Sequence, residues 1–217
     1  MFTTRFQTWV RRNAQRLAGW AGHLPITPNQ VTVAGMLATF TAATLAGFGY
    51  LLPAGLVLAC SGTFDILDGA LARATSRSYP YGAFLDSTTD RYAEGAVYVG
   101  IAAYFLGRGG PYMRLQVLAC LLALAGSYLV SYVRARAQSL GFKCDSGVFA
   151  RPERVVAIVA GLILGDPVLS IVVAGLAVLT NATVLQRVNE VWRQARVQRR
   201  AREATAQAPA GGEPTRL

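Results

Sequence analysis

Two short stretches of this chain carry aspartates at helical spacing: DILDGALAR at residues 65–73 and GAFLDSTTD at residues 82–90. Side chains three or four positions apart lie on the same face of an α-helix, so each stretch, if helical, brings two carboxylates together. The residues concerned are Asp65, Asp68, Asp86 and Asp90. They account for four of the 11 acidic residues in the sequence, and both stretches adjoin long apolar segments. The pattern predicts two helices that each present an acidic pair.

The chain around these stretches has the composition of a membrane protein. Its 217 residues are 53% hydrophobic and 15% charged, whereas soluble domains usually contain about 25% charged residues. A helix needs about 20 predominantly apolar residues to span a bilayer. The fold is therefore predicted to be all-α and polytopic, with six transmembrane helices. The candidate spans are residues 29–49, 53–73, 83–106, 112–139, 153–165 with its flanks, and 167–189.

The basic residues fall mostly on one side of the predicted spans. Cytoplasmic loops of membrane proteins are rich in arginine and lysine, and the loops on the other side hold only Arg108 and Arg114. Both termini and the aspartates are therefore predicted at the cytoplasmic face of the cell membrane. The net charge of +10 then indicates an anionic lipid surface rather than nucleic acid. The basic segments are residues 5–16, 73–77, 134–154 and 187 onward.

The chain is predicted to form one membrane domain, residues 1–194, followed by a polar tail, residues 195–217. At the start of the domain, residues 1–25 combine aromatic and apolar side chains with arginines. This pattern is typical of an amphipathic helix that lies in the membrane interface. The tail is rich in arginine and then in glycine and proline, which predicts a disordered segment at the cytoplasmic face.

The two acidic pairs are expected to converge. The first pair ends the second span and the second pair begins the third, so both lie at the same side of the membrane. Four carboxylates in one place repel each other unless a cation balances them. Oxygen ligands suit a hard divalent cation such as magnesium, manganese or calcium. The acids are therefore predicted to serve chemistry, because charges placed in a membrane segment are costly.

Small and basic residues accompany the aspartates. Gly69 and Gly82 lack a Cβ, which lets a flat base or a phosphate approach the backbone, although glycine also serves close helix packing. Arg73 is placed to bind a phosphate through two hydrogen bonds, although it also fits a marker of the cytoplasmic face. Asn29, at the start of the first span, fits either a ligand contact or a helix cap.

The spacing D-x2-D-G-x2-A-R-x8-G-x3-D-x3-D resembles that of the CDP-alcohol phosphotransferases, and every fixed position of the pattern is present. The resemblance implies a metal-dependent enzyme that uses Mg2+ or Mn2+, and it implies a homodimer. It implies that Asp90 is the catalytic base and that all four aspartates contact the metal. The nucleotide of the donor would be bound by Asn29, Asp65, Asp68, Gly69, Ala72, Arg73 and Gly82.

A second group of residues resembles the branch of this family that uses inositol phosphate. The stretch SYVRARA at residues 131–137, the segment RPER at residues 151–154, and Arg187 carry the likeness. The implied reaction transfers a phosphatidyl group from CDP-diacylglycerol, or a related CDP-lipid, to inositol 1-phosphate and releases CMP. The acceptor phosphate would be bound by Arg134, Arg151, Arg154 and Arg187.

Two alternatives remain open at this point. Synthesis of phosphatidylglycerophosphate from glycerol 3-phosphate also needs basic residues near the aspartates. A cation transporter would use an acidic site as well, but transporters tend to place their acids near the middle of the membrane. The aspartates of this chain lie at the ends of predicted spans, which favours an enzyme. Release of CMP distinguishes an enzyme from a transporter.

Overall fold

The fold consists of α-helices joined by short connections. A computed structural model of the chain describes residues 27–74, 80–144, 147 and 151–207, without the side chains of residues 28, 65–74, 201 and 204–207. The described residues form six helices and no strand, which confirms the all-α prediction. The helices are α1 (Pro28–Gly47), α2 (Leu51–Ala74), α3 (Pro80–Arg108), α4 (Met113–Ser139), α5 (Arg151–Leu164) and α6 (Asp166–Gln207).

The start of α1 is fixed by its own sequence. The Thr27 side chain accepts a hydrogen bond from the Gln30 backbone N–H at 3.4 Å, and the Gln30 side chain accepts one from the Thr27 N–H at 2.9 Å. Pro28 occupies the first turn, where no backbone N–H is needed. This reciprocal cap satisfies donors that would otherwise be exposed at the helix end. The cap therefore belongs to Thr27 and not to Asn29.

The helices are arranged in two groups of three that contact each other. Helix α1 packs against both α2 and α3, and α6 packs against both α4 and α5. Contacts of α2 with α5 and of α3 with α4 join the groups. Because successive helices run in opposite directions, one end of the bundle collects the end of α2, the start of α3 and the end of α4. The aspartate stretches lie at this end, as the sequence predicts.

Close packing between helices depends on glycines at particular positions. A Cβ on Gly100 of α3 would clash with the carbonyl oxygen of Ala43 on α1, and one on Gly126 of α4 would clash with the Thr180 hydroxyl on α6. These helices approach until backbone and small side chains touch. Such contacts between small residues are a common way to pack helices within a membrane.

We expect Gly100→Ala to lower the free energy of unfolding of the purified protein in detergent by about 1–3 kcal/mol, because the added methyl group meets rigid backbone. The thermal unfolding midpoint should fall accordingly. Gly175→Ala on α6 is the matched control, since a Cβ there meets nothing within 4 Å. Alanine has the higher helix propensity, so the control is expected to be neutral or slightly stabilising. Equal thermal unfolding midpoints for the two variants would contradict the packing.

Among the described residues, three helices are long and apolar enough to cross a membrane: Asn29–Gly47, Met113–Ser139 and Asp166–Arg200. Helix α2 contributes a shorter apolar helical stretch, Leu51–Phe64. The six-span layout itself remains a prediction. The predicted interfacial helix at residues 1–25 lies outside the described residues.

Helix α6 is longer than the sequence suggests. It runs for 42 residues to Gln207, past residue 195, where the polar tail is predicted to begin. Charged pairs at helical spacing support this extension, such as Arg199 and Glu203, which are 2.7 Å apart. Residues 208–217 of the tail lie outside the described part of the chain.

Helix α5 is short and begins deep in the bundle. It has 14 residues, and its first residue, Arg151, contacts Asp90 of α3. Asp90 lies ten positions after Pro80, which corresponds to about 15 Å along α3. Cys144, which follows α4, is fully buried. The start of α5 therefore lies at the level of Asp90, which brings its arginines to the level of the aspartates.

Candidate active site

Residues predicted to bind the nucleotide come together where α1 and α3 begin. The Oδ1 atom of Asn29 lies 3.4 Å from the position that a Cβ on Gly82 would occupy. Asn29 is exposed and Gly82 is partly buried. A Cβ at position 82 would be in van der Waals contact with the Asn29 amide, so the two residues line the same place between the helices. Since Thr27 supplies the cap, Asn29 is available for a ligand contact.

The two aspartates of α3 occupy adjacent turns. Asp86 and Asp90 are both partly buried, and their spacing places them on one face of the helix. The backbones of Asp65 and Asp68 belong to the final turns of α2. The structure describes only the backbone of these two residues, and the same holds for Gly69, Ala72 and Arg73.

The metal site predicted from the four aspartates therefore stays a prediction. The side chains that the structure describes include no group of three or more His, Cys, Asp or Glu residues able to hold a metal. The residues present nevertheless fit a hard divalent cation, because Asp86 and Asp90 offer only oxygen donors.

Asp90 contacts two arginines. Its Oδ1 atom forms an ion pair with Arg151 Nη2 at 2.8 Å, and its Oδ2 atom lies 3.5 Å from Arg91 Nη1. The Asp90 side chain is 16% exposed. Arg151, predicted from the sequence to bind the acceptor phosphate, thus lies against the predicted base. It stands between the acidic and the basic parts of the site.

A second ion pair lies one turn deeper. Arg154 Nε and Nη2 donate hydrogen bonds to the two carboxylate oxygens of Glu94, at 2.8 and 3.2 Å. Counted over the whole residue, Arg154 is 1% exposed and Glu94 is 6% exposed. Helices α3 and α5 are thus connected by two successive pairs, Asp90 with Arg151 and Glu94 with Arg154.

Glu94 is not among the site residues predicted from the sequence. A signal for it exists, because Asp86, Asp90 and Glu94 follow each other at intervals of four. A third acid on one face of an apolar helix is as costly as the first two. Arg151 and Arg154, three positions apart, share one face of α5, just as Asp90 and Glu94, four positions apart, share one face of α3. Two basic residues on one helix face and two acidic residues on another are the signal that could have identified the pair.

Arg187 of α6 is buried and lies near Gly147. Its Nη1 atom donates a hydrogen bond to the Val130 carbonyl on α4 at 2.6 Å, and the residue is 6% exposed. Gly147 passes close by: a Cβ there would lie 3.3 Å from Arg187 Nη2 and 2.9 Å from Thr183 Cγ2. Gly147 has φ +144, which side chains rarely adopt. A side chain there would clash with Thr183 and crowd the guanidinium, so the glycine allows the backbone to pass this close.

Three of the four arginines predicted to bind the acceptor come together. Arg134, on α4, and Arg154, on α5, both lie close enough to interact electrostatically with Arg187. Arg134 is exposed, while the other two are buried. We call Arg134, Arg154 and Arg187 the arginine cluster. It draws one cation from each of three helices, and Arg151 connects it to Asp90.

An acidic face on one helix beside a cluster of arginines from three others is an arrangement suited to transfer of a phosphate-linked group. The acids provide a base and oxygen ligands, and the arginines provide a site for a second anion. The chain belongs to the CDP-alcohol phosphatidyltransferase family, whose family model matches residues 25–187. It is thus a membrane enzyme, a CDP-alcohol phosphotransferase, and the family predicted from the aspartate spacing is confirmed.

Relatives of known name agree with this assignment. The chain is 37% identical to the archaetidylinositol phosphate synthase of Methanothermobacter thermautotrophicus over 194 residues, 88% of this chain and 94% of the relative. It is also 37% identical to the phosphatidylinositol phosphate synthase of Mycobacteroides abscessus over 172 residues, 76% of this chain and 77% of the relative. The likeness to the inositol-phosphate branch is therefore present over most of the chain.

Solved structures of similar fold carry related names. The phosphatidylinositol phosphate synthase of Mycobacterium tuberculosis with CDP-DAG bound matches with a TM-score of 0.76 and 30% identity, covering 95% of this chain and all of that one. The same enzyme in complex with manganese and citrate matches with a TM-score of 0.76 and 33% identity, covering 82% of this chain and 88% of that one.

Proposed function

We propose that this enzyme transfers a phosphatidyl group, or a related lipid phosphate, from a CDP-lipid to inositol 1-phosphate. The observation that carries the proposal is the arginine cluster, which includes Arg154, the partner of Glu94 one helical turn from Asp90. Guanidinium groups from three helices offer charge-assisted hydrogen bonds to an acceptor that carries a phosphate. The names of the relatives support the same acceptor.

In the proposed reaction, the acceptor hydroxyl oxygen forms a bond to the phosphorus on the lipid side of the donor. The bond from that phosphorus to the CMP oxygen breaks, and the hydroxyl proton passes to Asp90. Asp90 lies one helical turn from Glu94, the partner of Arg154, and this position suits the role, because a general base must lie within reach of the proton it removes. Holding both reactants in line lowers the barrier further.

A divalent cation, when bound, would neutralise the pyrophosphate and stabilise CMP as the leaving group. The residues that would hold it are Asp65, Asp68, Asp86 and Asp90. Magnesium and manganese both fit oxygen ligands of this kind. On the other side of the donor, Asn29, Gly69, Ala72, Arg73 and Gly82 would contact the nucleotide.

We place the enzyme in the cell membrane with six spans, and with the active site and both termini at the cytoplasmic face. The distribution of basic residues supports this orientation. In a variant without native cysteines, a cysteine introduced by Arg196→Cys should react with a membrane-impermeant thiol reagent only after permeabilisation. One introduced by Gly110→Cys should react in intact cells. The reverse pattern would contradict the orientation.

We also propose a homodimer, which the mass of the protein in detergent would test.

We expect Arg187→Gln to raise the KM for inositol 1-phosphate by about tenfold or more. Each hydrogen bond to a charged group contributes roughly 1.5–3 kcal/mol, and 1.4 kcal/mol corresponds to a factor of ten. The KM for the CDP-lipid should change little, because other residues hold the donor. Steady-state assays of CMP release with either substrate varied measure both values.

Arg196→Gln serves as the control for this experiment. Arg196 lies on the same helix, is exposed, and stacks over Trp192, so the same substitution should leave both KM values unchanged.

A screen of acceptors with the wild-type enzyme decides which branch of the family the enzyme belongs to. If glycerol 3-phosphate is used faster than inositol 1-phosphate, the enzyme makes phosphatidylglycerophosphate. Absence of CMP release with both acceptors would contradict the proposed reaction.

A further inference from the structure

Glu94 is a buried acid of α3 with no part in the chemistry proposed so far. Both of its carboxylate oxygens accept hydrogen bonds from Arg154, at 2.8 and 3.2 Å. Neither side chain is more than 4% exposed. The two residues are 60 positions apart in the sequence, so the pair depends on the packing of α3 near α5. It lies one turn from Asp90 and Arg151.

The geometry of this pair fixes a direction as well as a position. Two parallel hydrogen bonds fix the orientation of the guanidinium plane. A single hydrogen bond would leave the group free to rotate. The bonds to Glu94 use Nε and Nη2, so the remaining terminal nitrogen, Nη1, lies on the side of the guanidinium that Glu94 does not contact. Because a buried guanidinium is unfavourable without a counter-charge, Glu94 also allows Arg154 to be buried at all.

We infer that Glu94 is a positioning residue for the acceptor phosphate. It does not touch the acceptor, but it orients Arg154 within the arginine cluster, where the charge of Arg154 acts on Arg187. The inference rests on the proposed function, since it requires an acceptor that carries a phosphate. In the absence of the acceptor, Glu94 offsets one of the buried positive charges of the cluster.

A purely structural role for Glu94 gives a different experimental result. If Glu94 only connects α3 to α5, its loss lowers stability but leaves the acceptor KM of the folded enzyme unchanged. If it orients Arg154, its loss raises the acceptor KM and leaves the donor KM unchanged. Loss of one well-oriented hydrogen bond to a charged group corresponds to about tenfold or more in the acceptor KM, so the effect is large enough to measure.

The test uses Glu94→Gln in the full-length enzyme, with both KM values measured by CMP release. The acceptor is whichever of inositol 1-phosphate and glycerol 3-phosphate the wild-type enzyme uses. The variant is expected to raise the acceptor KM at least about tenfold while the CDP-lipid KM stays within about twofold. Glu203→Gln is the matched control, because Glu203 forms an exposed ion pair with Arg199. The control should leave both values unchanged.

A double variant separates an action through Arg154 from any other effect. If Glu94 acts through Arg154, then Glu94→Gln combined with Arg154→Lys should raise the acceptor KM no further than Arg154→Lys alone. Additive effects, or an unchanged acceptor KM in Glu94→Gln, would overturn the inference. If Glu94→Gln does not accumulate, Glu94→Asp takes its place, with the same shift expected. Use of glycerol 3-phosphate by the wild type would refute only the proposed acceptor.

Discussion

Replacing Asp90 by asparagine should reduce turnover by at least about a hundredfold, because general base catalysis contributes roughly 10²–10⁴ to a rate. The amide has nearly the shape of the carboxylate but does not take up the hydroxyl proton. The KM of the CDP-lipid, or its direct binding, should be largely retained, since Asp86 and the residues of α2 remain. Single-turnover CMP release and equilibrium binding of the CDP-lipid measure the two quantities separately.

The chain offers a matched control for this substitution. Asp166 is a partly exposed aspartate that also forms an ion pair with an arginine, Arg108, but at the opposite end of the bundle. Asp166→Asn should leave turnover close to that of the wild type. The Asp90 variant also removes the negative partner of Arg151, so its thermal stability should be compared with that of Asp166→Asn. Near wild-type turnover in Asp90→Asn would show that another group takes the proton.

The helices could be predicted from the sequence because their signals are local. Apolar segments of sufficient length, interrupted at turns such as Gly109-Gly110, predict spans within a few residues of the helices observed. The prediction was less accurate for α6, which continues through a polar and basic stretch to Gln207. Charge pairing along that stretch replaces apolar packing, and composition alone does not reveal it.

The site could be predicted in part, for a related reason. Spacing within one helix determines which side chains share a face, so Asp86 and Asp90 were identified together. Which residues of two different helices contact each other depends on how the helices are shifted along their axes. No local sequence pattern determines that shift. The sequence therefore identified Arg154 as a basic residue of the site but did not identify Glu94, its partner 60 positions earlier.

This shift also explains the position of Arg151. On the sequence, Arg151 and Arg154 form one basic segment with one predicted role. Because α5 begins at the level of Asp90, Arg151 pairs with that residue and Arg154 pairs with Glu94. The predicted role of Arg151 at the acceptor phosphate remains a prediction, and its contact with Asp90 shows how close the two parts of the site lie.

Removal of divalent metal should reduce turnover at least about a hundredfold. Neutralising the charge that develops on transferred phosphates contributes several kcal/mol in metal-dependent enzymes, and 1.36 kcal/mol corresponds to a factor of ten. The enzyme should lose activity in excess chelator and regain it when magnesium or manganese is added beyond the chelator concentration. CMP release measures both steps, and the thermal stability of the chelated protein shows whether it stays folded.

A variant of one ligand connects this effect to the aspartates. Asp86→Asn removes one negative charge from the predicted site, so more metal should be needed for half-maximal activity, whereas Asp166→Asn should need the same amount as the wild type. Without a cation the carboxylates repel each other and the donor phosphates. The chelated wild type should therefore bind the CDP-lipid less tightly, and gain less stability from it, than the metal-loaded enzyme. Full turnover in excess chelator would contradict a metal-dependent mechanism and would leave Arg151 and Arg91 as the charges that balance Asp90.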